Sequence, residues 1–243
     1  MPGLVKYGSN GLAQFLDAPD IVYGTGNDGS VTFDGSTTIL SIAPASSVYT
    51  LTRDIFCYNM TISANVRINP NGYRIFVKNL LSLGNGSLIG FTTGFAGTGS
   101  IAGGGIGPVT HSLGGSEGGE VGNEATPPTA SLGGPDYYKQ PLNAIRGYAI
   151  TASGGPVFLR GGAGTGSADG GGVVICAARY IAYTGTGTAA GFTAPASSSA
   201  GGGVVLTIST GVSLPANITV DVGGGTSGIY TGQNGTHFHI QAM

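Results

Sequence analysis

Between Ser36 and Ile89 the apolar residues fall into short alternating runs: Ile39, Leu40 and Ile42; Tyr49 and Leu51; Met60 and Ile62; Val66 and Ile68; Tyr73, Ile75 and Val77; Leu81 and Leu83; Leu88 and Ile89. A period of two puts alternate side chains on one face of an extended chain, so each run predicts a short strand. Asn69-Pro70-Asn71-Gly72 and Gly84-Asn85-Gly86 supply turns between them. Strands this short carry too little area for a hairpin-built sheet, but they suit the rungs of a β-solenoid, where each turn of chain covers the next.

The second half repeats the pattern with more glycine. Gly170-Gly171-Gly172-Val173-Val174-Ile175 recurs 31 residues later as Gly201-Gly202-Gly203-Val204-Val205-Leu206, and a degenerate copy runs from Gly154 to Leu159. Glycine before an apolar strand is expected where backbones come too close for a Cβ, as where coils or chains cross near an axis. Residues 103–148 lack alternation and read as long loops. Near the start, Leu12-Ala13-Gln14-Phe15-Leu16, with Ser9 and Asn10 as caps and Pro19 as a stop, is compatible with one short helix. The chain therefore divides into a lead-in (1–35) with Leu12, Phe15 and Leu16 as anchor residues, a solenoid-like region (36–100), a glycine-rich loop region (101–150) and a glycine-rich β-repeat region (151–243).

Composition sharpens this picture. Glycine takes 48 of 243 positions and charged residues only 8%, which argues against a helical protein; 40% hydrophobic residues and a net charge of -2 argue against plain disorder. Nine basic against eleven acidic residues leave no basic footprint for nucleic acid, and neither a signal peptide nor a membrane span is expected. Cys57 and Cys176 lie in apolar stretches and read as reduced, buried thiols. A monomer with so few large apolar residues and open solenoid ends is hard to seal, so the expected class is all-β: a short-stranded β-helix with glycine-rich loops, intertwined as a homotrimer.

Candidate chemistry is sparse. His237 and His239, at i and i+2 on a strand, share a face; three chains around an axis would bring six imidazoles to one point, a geometry for iron or zinc, against the plainer reading of two hydrogen-bonded histidines on a terminal strand. Gly114-Gly115-Ser116-Glu117-Gly118 matches a nucleophile-elbow pattern without the strand and helix that it needs. Glu117, Glu120 and Glu124 are the one acid cluster that a carbohydrate-cleaving spike could use, and otherwise form a solvated loop. No enzyme activity is expected. Arg53-Asp54 reads as a pair bracing a coil edge, with Arg74 and Lys78 guarding exposed edges. Tyr137, Tyr138 and Tyr148 form the most aromatic part of the loop region and are the candidate contacts for a receptor or neighbouring subunit.

Tyr49 to Ile62, followed by Asn71-Gly72-Tyr73-Arg74-Ile75-Phe76-Val77-Lys78, resembles a pattern of glycine-rich virion surface proteins of tailed bacteriophages. Gly170 to Arg179 and Asn234-Gly235-Thr236 are similar to later parts of those proteins. The Gly-x-His-x-His pattern at 235–239 is also similar to that of needle-like trimeric phage fibres that thread metal ions. The resemblance implies a β-helical homotrimer on the virion surface, assembled in the host cytoplasm and acting through surfaces. As a head decoration or cement protein it would contact the major capsid protein. As a short tail fibre or adhesin it would contact tail proteins and a host receptor, and a carbohydrate-active tailspike is the remote third reading.

Overall fold

The computed structural model describes residues 22–71, 73–91, 171–196, 202–227, 230–232 and 234–242, with the backbone alone of Val5–Tyr7 and Ala13–Phe15. The described elements are β-strands, and the two main sheets are parallel throughout. Two strands lead in, β1 (Val5–Tyr7) and β2 (Ala13–Phe15), and they pair antiparallel with each other. The segment expected as a short helix is therefore partly a strand: three residues paired with Val5–Tyr7 replace an isolated single helical turn, which is unstable without a packed face. Of the expected anchors, Phe15 lies on β2, while Leu12 and Leu16 fall outside the described residues.

From residue 31 the chain alternates between the two sheets. A seven-stranded sheet holds β3 (Val31–Phe33), β5 (Ile55–Cys57), β6 (Met60–Ile62), β8 (Ile75–Leu83), β10 (Val173–Tyr183), β12 (Val204–Ser209) and β16 (Thr236–Gln241). A five-stranded sheet holds β4 (Val48–Thr50), β7 (Arg67–Asn69), β9 (Leu88–Gly90), β11 (Ala190–Thr193) and β13 (Ile218–Asp221). Each visit to a sheet lands beside the previous one. β5 and β6 both pair with the single long β8, at Ile55↔Ile75 and Met60↔Leu81, so the two runs Ile75/Val77 and Leu81/Leu83 belong to one strand with a bend rather than two strands. A small hairpin, β14 (Thr226–Ser227) with β15 (Tyr230–Thr231), precedes β16.

The 31-residue repeat is the pairing register itself. Val173, Val174 and Ile175 lie beside Val204, Val205 and Leu206, and these lie beside Thr236, His237 and Phe238. The described residues break off after Phe91 and resume at Gly171, and the Phe91 ring lies against Gly172. Despite the long stretch between them, β8 and β10 are direct neighbours, with Ile75 beside Cys176.

The core follows from alternation. Ile55, Ile75, Ile68, Ile89 and Phe192, fully buried, face one another between the sheets. A second cluster lies on the other face of the seven-stranded sheet, where Phe76, Ile175, Leu206 and Ile208 are covered in part by Tyr23. Tyr23 and Phe33, both inside the stretch read as a lead-in, pack into these clusters. Ile39–Ile42 is not a strand but a tight turn closed by two backbone hydrogen bonds, with Leu40 and Ser41 at φ 51° and 64°. Its alternation serves to tuck Ile42 against the end of the core.

The glycines before β10, β12 and β16 sit where successive turns of the same chain touch. A Cβ on Gly203 would collide with the Gly172 carbonyl oxygen, and one on Gly235 with the Gly203 carbonyl oxygen. Close approach is the reason for glycine, as expected, and the neighbour that enforces it is the chain's own next turn.

Candidate functional site

The last rung of the seven-stranded sheet holds the two histidines. His237 pairs in register with Val205, a core residue, and His239 with Thr207, so both rings turn toward the space between the sheets. His239 Nε2 lies 2.9 Å from the Gly211 carbonyl oxygen, which can only accept, so this nitrogen carries the proton. The Thr207 hydroxyl lies between the two rings, 2.9 Å from His239 Nδ1 and 3.0 Å from His237 Nε2, and 3.4 Å from the Phe238 carbonyl oxygen, which can only accept. Thr207 thus links the two rings, and His239 ties them to the Gly211 backbone. Burial, followed by the neighbouring His239, holds the His237 pKa below its ordinary value.

Both nitrogens of His239 and Nε2 of His237 already have partners, and the ring centroids are 6.4 Å apart. Among the described residues no group of three or more His, Cys, Asp or Glu is placed to hold one. The expectation that i and i+2 share a face holds, but the face is the interior of the last rung.

The inward row that ends at His239 is graded. Reading across β5, β8, β10, β12 and β16, it runs Ile55, Ile75, Cys176, Thr207, His239. Cys57 and Cys176 are free and buried, and burial pushes both thiols up to about 12, which makes them poor nucleophiles at neutral pH.

Charged residues join neighbouring turns. Arg53 and Asp54 do not pair side chain to side chain; Arg53 forks onto the Asp28 carboxylate at 2.7 and 2.9 Å, and Asp54 takes the Arg74 guanidinium and backbone N–H. Adjacent residues of an extended chain point to opposite sides, so each reaches a different neighbouring turn. Arg74 is only 6% exposed and also lies over the Phe76 ring. Asn59 bridges three turns at the bend: its carbonyl oxygen accepts from Asn79 at 2.8 Å, and its amide donates to Ser30 at 3.1 Å. At the first turn the Asp34 carboxylate accepts from the Thr37 and Ser36 backbone N–H groups and from the Tyr49 hydroxyl, which holds its pKa well below the usual carboxylate range.

Reading the sequence missed Asp28, Asp34, Asn59 and Thr207. A signal existed for two of them: Asp34-Gly35-Ser36-Thr37 has the spacing of a side-chain-capped turn, and Asn59 and Asn79 stand one turn apart. Also missed are Tyr58 and Tyr180, each 47% exposed, the latter with Arg179 over its ring. Tyr137, Tyr138, Tyr148, Glu117, Glu120 and Glu124 lie outside the described residues. Among the described residues no helix is long and apolar enough to cross a membrane.

No protein-family model, curated protein or solved structure matches this chain.

Proposed function

We propose that the chain is a parallel β-solenoid serving as a self-associating surface protein of a phage virion, a homotrimer that decorates or cements the head. The observation that carries the reading is the in-register stacking of three consecutive turns, Val173, Val204 and Thr236, with their entry glycines in contact. A solenoid of this kind presents long regular surfaces and uses Asp28, Arg53, Asp54 and Arg74 to join turns, which suits a role of holding neighbours rather than transforming a substrate. An iron or zinc ion on His237 and His239 is not required by this reading, in which three of their four ring nitrogens have partners within the chain.

The test is copy number per particle, by quantitative mass spectrometry against the major capsid subunit. A stoichiometry comparable to that subunit is the expected result. A handful of copies would overturn head decoration and favour the second reading, a short tail fibre or adhesin. That second reading draws on Tyr58 and Tyr180, which stand exposed on either side of β8. In that case Tyr58→Ala with Tyr180→Ala reduces adsorption of purified protein to host cells.

A further inference from the structure

Along the five-stranded sheet, Tyr49, Ile68, Ile89, Phe192 and Val220 form the inward row. Their strand neighbours face out, and these carry just two charges among the described residues: Arg67 on β7 and Asp221 on β13. The other described arginines are accommodated. Arg53 and Arg74 each hold an aspartate, and Arg179 lies over Tyr180.

Arg67 differs from them. Its side chain has no carboxylate within ion-pair distance among the described residues, yet its Nε is buried without a hydrogen-bond partner. The guanidinium has lost water on its Nε side without gaining an acceptor there, and a carboxylate from outside could pair its charge only through the outer nitrogens. Asp221 is the opposite case. It is exposed, and among the described residues its carboxylate accepts only from the Gly223 N–H, at 2.9 Å, with no cation within ion-pair distance.

The two cannot meet within one chain. They stand three strands and two residues apart, about 14 Å across the sheet and about 7 Å along it. Between them the outward positions, Leu88, Gly90, Gly191 and Thr193, carry no charge.

We propose that this face is where a second copy of the chain docks, with Arg67 of one copy on Asp221 of the next. The contact rests on the self-association in the function proposed above and supplies its chemistry. Because the charges sit apart on the face, Asp221 on an edge strand and Arg67 on the strand next to the other edge, two copies can make the contact reciprocally, or three can make it in sequence around a closed ring. Every arginine meets an aspartate in both arrangements.

Charge exchange tests the pairing, read by sedimentation of the full chain with circular dichroism as the check on folding. Asp221→Arg weakens assembly by at least about 30-fold, the lower end for breaking a desolvated charge pair. Asp221→Asn weakens it less, because it removes an attraction without adding a repulsion. Arg67→Asp alone also weakens assembly, and combining it with Asp221→Arg restores it. The two Asp221 variants alter an exposed side chain, so they decide the matter even if Arg67→Asp fails to fold. Single variants that fold and assemble like the wild type overturn the pairing and leave self-association standing. So does a folded double variant without recovery. A wild-type chain that sediments as a monomer overturns both.

Discussion

The turns before residue 92 and those after residue 170 stack in the same two sheets but secure their neighbours differently. In the earlier turns side chains do the joining: Asp28 with Arg53, Asp54 with Arg74, and Asn59 with Ser30 and Asn79. Backbone turns there are closed by left-handed residues of both kinds, Ser41, Ser47 and Asn65 alongside glycines such as Gly29, Gly35 and Gly86. In the later turns the backbones themselves come into contact at Gly171, Gly202, Gly203 and Gly235, where a Cβ would strike a neighbouring carbonyl. A side-chain bridge can be lost while the stack relaxes around it. A glycine at a backbone contact has no such freedom, because a Cβ there must displace the turn on which it rests.

The comparison breaks most visibly at Gly203. Gly203→Ala forces a Cβ onto the Gly172 carbonyl oxygen, and about 3 kcal/mol or more of stability is lost, seen as a large fall in the denaturant midpoint. Next is Asp54→Ala, which leaves the 6%-exposed Arg74 without its carboxylate. A loss of about 2 to 3 kcal/mol is expected, toward the lower part of the range for a broken buried pair because Asp54 is itself partly solvated. Arg53→Ala, at a guanidinium 47% exposed, costs about 1 kcal/mol or less. A result in which Gly203→Ala is the milder of the first two would show that the later turns yield more readily than the earlier ones.

Acid sharpens the same contrast. The His237 pKa is lowered in the folded chain, so folding binds fewer protons there than the unfolded state does. Its contribution is complete above the unfolded value of about 6.5 and declines as the pH falls through the folded value. Urea midpoints measured between pH 8 and pH 5 should therefore fall first, and His237→Gln should flatten that early decline. Asp34 and Asp28 at the first turn have lowered pKa values, Asp34 through the Thr37 backbone N–H above all and Asp28 through Arg53. Their contribution is present above the ordinary carboxylate value and is lost only as the pH falls well below it. Acid therefore weakens the last rung before the first.

The smallest effect is a rate of labelling. Cys57 and Cys176 should resist a thiol reagent at pH 8 in the folded chain and react together on unfolding, since burial suppresses the thiolate of both. Prompt labelling of Cys176 alone would mean that the later turns open independently of the earlier ones.

Much of the scaffold was legible because it rests on local periodicity. Alternation located β4, β6, β7 and β9, and the glycine-led repeat located β10 and β12 with their register. Where the reading departed from the structure, alternation or apolar content had a second cause. Ile39 and Ile42 are apolar because a tight turn presses them on the core, and Ala13 to Phe15 pair with another short strand instead of coiling. His237 and His239 were seen to share a face, but which face depended on Val205 and Thr207, 32 residues earlier.

The sequence alone determined that the chain is made of short extended segments and that two stretches 31 residues apart are equivalent. Both are matters of local stereochemistry: side chains alternate along a strand, and glycine is needed wherever a backbone comes close. Tertiary structure alone decided which charges pair, why the histidines face inward, and why Arg67 and Asp221 stay apart. Those outcomes depend on which turn lies beside which, and that order is set by the whole stack, where burial and backbone hydrogen bonding are satisfied together.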